Sequence, residues 1–194
     1  MPEQLSFAEL DIAQRPTDRV FFAIFPNADT AASIALLAQH LRAKHGLKGK
    51  VLATKGFHIT LHHLGDYLGL PQGVVAKAGE AATAVAMPRF DVAFDRAESF
   101  SGKPGNRPFV LRGGDGVAAL MAFQEILGTA MKKSGLGRWV APHYTPHMTL
   151  LYDDRSVAAQ AVATVAWTAC EFVLVHSRLG RTAHIPLARW PLRG

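Results

Sequence analysis

A histidine, an apolar residue, a threonine and a leucine occur in that order twice in this chain. The first copy is His58-Ile59-Thr60-Leu61 and the second His147-Met148-Thr149-Leu150, one in each half of the 194 residues. Both copies sit in short apolar runs, 55–64 and 146–152, that read as strands. In a strand, residues two apart share a face. His58 and Thr60 therefore point one way, while Ile59 and Leu61 point into a core. His147 and Thr149 repeat this, with Met148 and Leu150 behind them. Imidazole and hydroxyl on a buried face carry a desolvation cost unless they line a wet cleft. Two such strands facing one cleft would gather two imidazoles and two hydroxyls around a single point, an arrangement suited to phosphate.

The rest of the chain is read around these strands. A strand over 19–26 is rich in aromatic and β-branched residues. A helix follows, capped by Asn27 or Asp29, and ends near Gly46. Residues 71–86 are Ala-rich and helical, and two strands over 90–100 and 107–113 flank a Gly/Pro turn. A third helix over 117–134 presents Leu120, Phe123, Ile126, Leu127 and Met131 at helical spacing. After the second motif, the pattern predicts a short helix over 157–163 and two last strands over 166–177 and 183–190. Residues 1–18 read as a polar leader, and 19–192 as one bilobal domain with an internal duplication. The fold class is α+β, with largely antiparallel sheets and outer helices.

Composition narrows the function classes. The formal charge of +6 favours anionic partners such as nucleotides or RNA. The single cysteine, Cys170, cannot close an internal disulfide and reads as a small buried hydrophobe. The first residues hold acidic groups and no apolar signal core, and no uncharged apolar stretch is long enough for a membrane span. A cytoplasmic monomer with no membrane contact is expected. No Gly-rich phosphate loop and no Gly-x-Ser-x-Gly elbow occurs. His143 and His147 are four apart, but Pro142 and Pro146 preclude the helix that such a metal spacing requires. No metal site and no cofactor are expected.

Among the other polar residues, His62 falls on the cleft face if its strand stays regular, and His62 and His63 read as wall residues. Arg107, Arg112, Arg178 and Arg181 are candidates to hold a phosphate bidentately. Tyr144 and Trp139, just before the second motif, are candidates to stack on a base or to pack on the sheet.

The paired His-x-Thr-Leu motifs, the first running on to Leu64-Gly65 and the second preceded by Pro146, resemble those of the 2H phosphoesterases. Within them the chain looks most like the bacterial RNA 2′,3′-cyclic phosphodiesterases, historically named 2′-5′ RNA ligases. The segment from Phe172-Val-Leu-Val-His-Ser177 through Pro186-Leu-Ala-Arg-Trp-Pro-Leu192 is similar to that family's closing hairpin, so the resemblance spans roughly 19–192. Many members carry an aromatic residue where His63 stands.

The resemblance implies two pseudo-symmetric lobes around an open cleft and metal-independent cleavage of a cyclic phosphate. It makes His58 and His147 the catalytic residues, and Thr60 and Thr149 the phosphate-binding ones. It also implies that one histidine protonates the leaving 3′ oxygen while the other activates water, leaving a 2′-phosphate; ligation reverses these roles. Elementary chemistry agrees, because in-line displacement at phosphorus wants a base on one side and an acid on the other, both near neutral pKa. The substrate implied is RNA or a nucleotide with a 2′,3′-cyclic phosphate end. ADP-ribose cyclic phosphate, 2′-5′ oligonucleotides, and a non-catalytic RNA-binding role stand as the alternatives.

Overall fold

The computed structural model describes residues 15–181 and 183–193. Eight strands form two four-stranded antiparallel sheets. The first sheet has the order β2 (Ile59–Tyr67), β1 (Asp18–Ile24), β7 (Glu171–Arg178), β8 (Ala183–Pro191). The second has the order β5 (His147–Asp153), β4 (Arg107–Arg112), β3 (Phe90–Ser99), β6 (Gln160–Ala169). The motif strands β2 and β5 are the outer strands of their sheets, and they approach one another. The α+β reading with two matched sheets is therefore the observed architecture.

Among the described residues, three α-helices complete the fold. α1 (Ala28–Lys44) starts where the Asn27 side chain accepts the Thr30 N–H at 2.8 Å. It lies against β5 and β6 of the second sheet. α2 (Gln72–Thr83) and α3 (Ala118–Lys133) pack on each other, and α3 also meets β2 and β3. One continuous apolar core joins both sheets and all three helices, with Phe22, Phe57, Phe94, Phe109, Phe123 and Phe172 fully buried. A helix from the first half thus covers the second sheet, while α3 from the second half covers β2. The lobes could not separate without opening that core.

The loop before the first motif is fastened to the second motif strand. Asp153 accepts the N–H groups of Lys48 at 2.6 Å, Gly49 at 2.7 Å and Arg155 at 2.8 Å. These bonds hold its carboxyl below the usual carboxylate range, Arg155 contributing most. Gly49 lies so close to β5 that a Cβ there would sit 1.9 Å from the Tyr152 carbonyl oxygen.

Three expectations are corrected. No helix forms over 157–163. Instead β6 runs from Gln160 to Ala169 along β3, and its burial alternates as an outer strand's does. The expected single strand over 166–177 is two strands in different sheets, and Cys170 stands exposed at the crossing between them, not buried. Of the leader expected over 1–18, residues 1–14 lie outside the described residues, and Asp18 opens β1. Thr17 bonds its backbone to Tyr67 and Leu179, and buried Asp18 accepts from His176 Nε2 at 2.5 Å.

Candidate active site

Each motif is built the same way at atomic detail. Residues 54–56 form a 3-10 turn, so the first strand begins at Ile59 and not at 55. This turn presents the Gly56 carbonyl to His58, whose Nδ1 donates to it at 2.8 Å. In the second copy, Thr145 precedes Pro146, which disfavours helical backbone there. His147 Nδ1 donates to the Thr145 carbonyl at 2.8 Å. A carbonyl can only accept, so the proton of each neutral imidazole sits on Nδ1. Each Nε2 is thereby left with its lone pair for chemistry.

The two strands also share an irregularity. In β2, Thr60 pairs with Ala23 and His62 with Phe22, leaving Leu61 as an extra residue. In β5, Thr149 pairs with Val110 and Leu151 with Phe109, leaving Leu150 as the extra residue. Both are β-bulges, placed directly after the threonine. The carbonyl that a bulge frees from its ladder needs another donor. Leu150 O receives the Leu52 N–H at 2.8 Å, and Leu61 O faces the Gln124 amide at 3.5 Å.

The bulge corrects the reading of His62. It moves His62 from the cleft to the core face, in the place that leucine takes in the second copy (Leu151). His62 is 3 % exposed, and its Nε2 donates to the Gln124 carbonyl at 3.0 Å. Burial lowers its pKa. His63 does reach the outer surface, where it and Arg19 both bind Asp66, at 3.0 and 2.7 Å. Arg19, with lesser help from His63, holds the Asp66 carboxyl down at about 2.

Around the two catalytic candidates the environments differ. The His58 ring lies against Phe21 (centroids 5.1 Å apart), Phe25 (5.8 Å) and His184 (4.9 Å). Enclosure in this cluster lowers its pKa to about 4, with smaller contributions from the nearby charges of His184 and His147. His147 meets the Phe100 ring edge-on at 5.0 Å. Thr60 and Thr149 are partly buried on the same faces as their histidines. The spacing of the motifs carries no signal for His184. It comes from β8, opposite Ser177, and its buried Nδ1 has no partner among the described residues.

The other candidates fall elsewhere or are engaged. Arg107 donates to the Asp154 carbonyl at 2.7 Å, and Arg178 and Arg181 are exposed around the β7–β8 turn. Trp139 packs on the core with the Arg138 guanidinium 3.8 Å above its ring. Burial raises the Tyr144 phenol well above its ordinary pKa. Arg112 alone of the four arginines is the cross-strand neighbour of a motif histidine, His147. Two grooves of about 750 and 560 Å³, at the far end of β5 and the C-terminus of α1, include no motif residue. Among the described residues no cluster of three or more potential metal ligands occurs, and no helix is long and apolar enough to cross a membrane.

Comparison with known proteins follows the same lines. A crystal structure described as a phosphoesterase superposes with a TM-score of 0.70 at 26 % identity, covering 92 % of this chain and all of the other. Escherichia coli LigT complexed with 3′-AMP gives 0.64 at 26 % identity, covering 93 % and 100 %. TT0787 of Thermus thermophilus shares the fold at 0.72, with 19 % identity over 91 % and 98 % of the two chains. No curated protein matches the chain by sequence. The family model described as the 2′-5′ RNA ligase superfamily matches residues 28–183, which include both motifs, their bulges and the strands that carry them, and the chain belongs to that superfamily.

Proposed function

We propose that the protein is a metal-independent phosphodiesterase that opens a 2′,3′-cyclic phosphate at the end of RNA or on a nucleotide, leaving a 2′-phosphate. The observation that carries this reading is the duplicated His-x-Thr unit, with the same Nδ1-to-carbonyl bond and the same bulge in each lobe. Of the solved relatives, LigT of Escherichia coli has been captured with 3′-AMP, with phosphate, with NADP+ and with ATP. Phosphate-bearing ligands of that kind fit the chemistry proposed here.

In the reaction, the oxygen of a water attacks phosphorus and the bond from phosphorus to the 3′ oxygen breaks. One histidine, neutral with its lone pair on Nε2, takes the proton of the water. The other starts protonated on both nitrogens and gives the Nε2 proton to the departing oxygen. The Gly56 and Thr145 carbonyls hold each ring in orientation through Nδ1 and leave Nε2 for the proton transfers. The Thr60 and Thr149 hydroxyls donate to the non-bridging oxygens as charge builds on them. Exchange with solvent restores the two protonation states, and a 5′-hydroxyl attacking in place of the water would give a 2′-5′ ligation with the histidine roles kept, not reversed.

Phosphorus NMR of a nucleoside 2′,3′-cyclic phosphate incubated with the protein in EDTA tests the proposal. A nucleoside 2′-phosphate is expected. A 3′-phosphate, or turnover that EDTA abolishes and a divalent ion restores, would refute it.

A further inference from the structure

The matched catalytic units are set in unmatched faces. Residues paired across antiparallel strands share a face. In the first sheet, Ala23 pairs with both Thr60 and Val173, and the Phe25 ring packs against His58. Beside the first motif that side is mainly apolar, with His184 against His58. In the second sheet, Val110 pairs with both Thr149 and Glu98, and Arg112 pairs with both His147 and Arg96. A row of Arg96, Arg112 and His147 thus runs across three strands on the face that carries the second motif.

The guanidinium groups of this row keep hydrogen-bonding capacity that their acidic neighbours do not use. Arg112 Nη1 donates to Glu98 Oε1 at 2.7 Å, but its Nε is buried and has no hydrogen-bond partner among the described residues. The side chain is still 38 % exposed, so part of it meets solvent on the face that carries the second motif. Its carbon lies 5.7 Å from the centre of the Phe100 ring, the same ring that abuts His147. Arg96 is 61 % exposed, and the acid nearest it, Asp95, stands 3.8 Å away, too far for a hydrogen bond. Like charges directly opposite on a sheet are destabilising. Glu98 and Asp95 offset the two arginines in charge, but neither carboxylate takes up all the N–H groups of its partner, and those left over can receive an anion. With strands about 4.8 Å apart, the row extends from His147 to roughly 10 Å beyond it. The phosphate under attack occupies the His-x-Thr units, so the row is free for another.

We infer that Arg112, assisted by Arg96, binds a second phosphate of the substrate, which makes an RNA end the preferred substrate over a mononucleoside cyclic phosphate. The inference rests on the phosphodiesterase reading and names its substrate class. The second phosphate is the diester that joins the terminal nucleotide to the next. Glu98 holds the guanidinium in the free protein, and the diester takes up the N–H groups that Glu98 leaves unused.

The test compares kcat/KM for a nucleoside 2′,3′-cyclic phosphate, the same nucleoside with an added 5′-phosphate, and a dinucleotide ending in the same cyclic phosphate. The wild type is expected to prefer the dinucleotide about tenfold over the unphosphorylated mononucleoside, mainly through KM. Arg112→Gln should lose about tenfold more on the dinucleotide than on the mononucleoside, with Arg112→Lys in between. Arg96→Gln, a change at an exposed side chain, should show the same selective loss at smaller size. Equal losses on both substrates, or a wild type without preference, would overturn the inference. A preference for the 5′-phosphate compound over the dinucleotide would overturn the assignment to RNA. Calorimetric binding of a dinucleotide 3′-monophosphate reads the same contact without turnover. A protein that hydrolyses nothing, yet binds this dinucleotide about tenfold more weakly as Arg112→Gln, would refute the phosphodiesterase reading and support the second-phosphate site. Binding unchanged in Arg112→Gln would refute the site.

Discussion

Acidification is expected to weaken the fold in a window that one side chain largely defines. In the unfolded chain His58 titrates near 6.5, and in the folded protein near 4, because protonation places a cation among Phe21, Phe25 and His184. The folded state therefore binds fewer protons than the unfolded one between these values. Stability is lost as pH falls from about 6.5 to 4 and levels off below. Linkage over that interval, from pH 7 to pH 4.5, gives a loss of about 2 kcal/mol from this histidine, after an allowance for its partial exposure. His62 and His184 are depressed in the same direction and add to the slope. Asp18, Asp66 and Asp153 are lowered carboxylates, so their contributions are lost below about 3.8, outside the window. Comparison of variants isolates His58. Urea denaturation of wild type and His58→Gln at both pH values should show the wild type losing about 2 kcal/mol more than the variant. An imidazole NMR titration should place one histidine near 4. A variant as acid-sensitive as the wild type, with every imidazole midpoint near 6.5, would refute the enclosure argument.

Further outcomes follow from the same geometry. His58→Ala and His147→Ala should each lower turnover about 10²–10⁴-fold while circular dichroism shows the fold retained. Thr60→Val and Thr149→Val should each cost less, roughly tenfold, since each removes one hydrogen bond to a charged oxygen. His62→Leu should leave turnover of the cyclic nucleotide unchanged and shift stability at pH 7 by less than about 1.5 kcal/mol, because leucine already fills the matching place at Leu151. His62→Ala should cost about 2–4 kcal/mol through the cavity it leaves, measured by the same denaturation.

What the chain disclosed, and what it hid, separates along physical lines. The matched placement of His58 with Thr60 and of His147 with Thr149 is legible because a strand of period two turns a four-residue motif into a statement about faces, and because the motif occurs twice. The alternation fails one residue later. A bulge adds a residue without leaving a mark in composition, so His62 reads as a cleft residue when it lies in the core. The alanines over 157–163 carry a local preference for helix. Pairing of Gln160 with Ala97 and of Ala161 with Arg96 overrides that local preference. The run 166–177 looks continuous in hydropathy, yet it changes sheets at Cys170, a tertiary choice that periodicity cannot carry. His184 reaches His58, and Arg112 pairs with His147, from strands that lie far from the motifs in sequence.

The central claim is that both His-x-Thr units serve one reaction. Hydrolysis of a nucleoside 2′,3′-cyclic phosphate by His58→Ala, by His147→Ala and by the double variant tests it most directly. If the histidines act as an acid and base pair, the double variant should be little slower than either single one, because losing one partner already disables the pair. Wild-type turnover in the double variant, or losses that multiply as for two independent sites, would contradict the account.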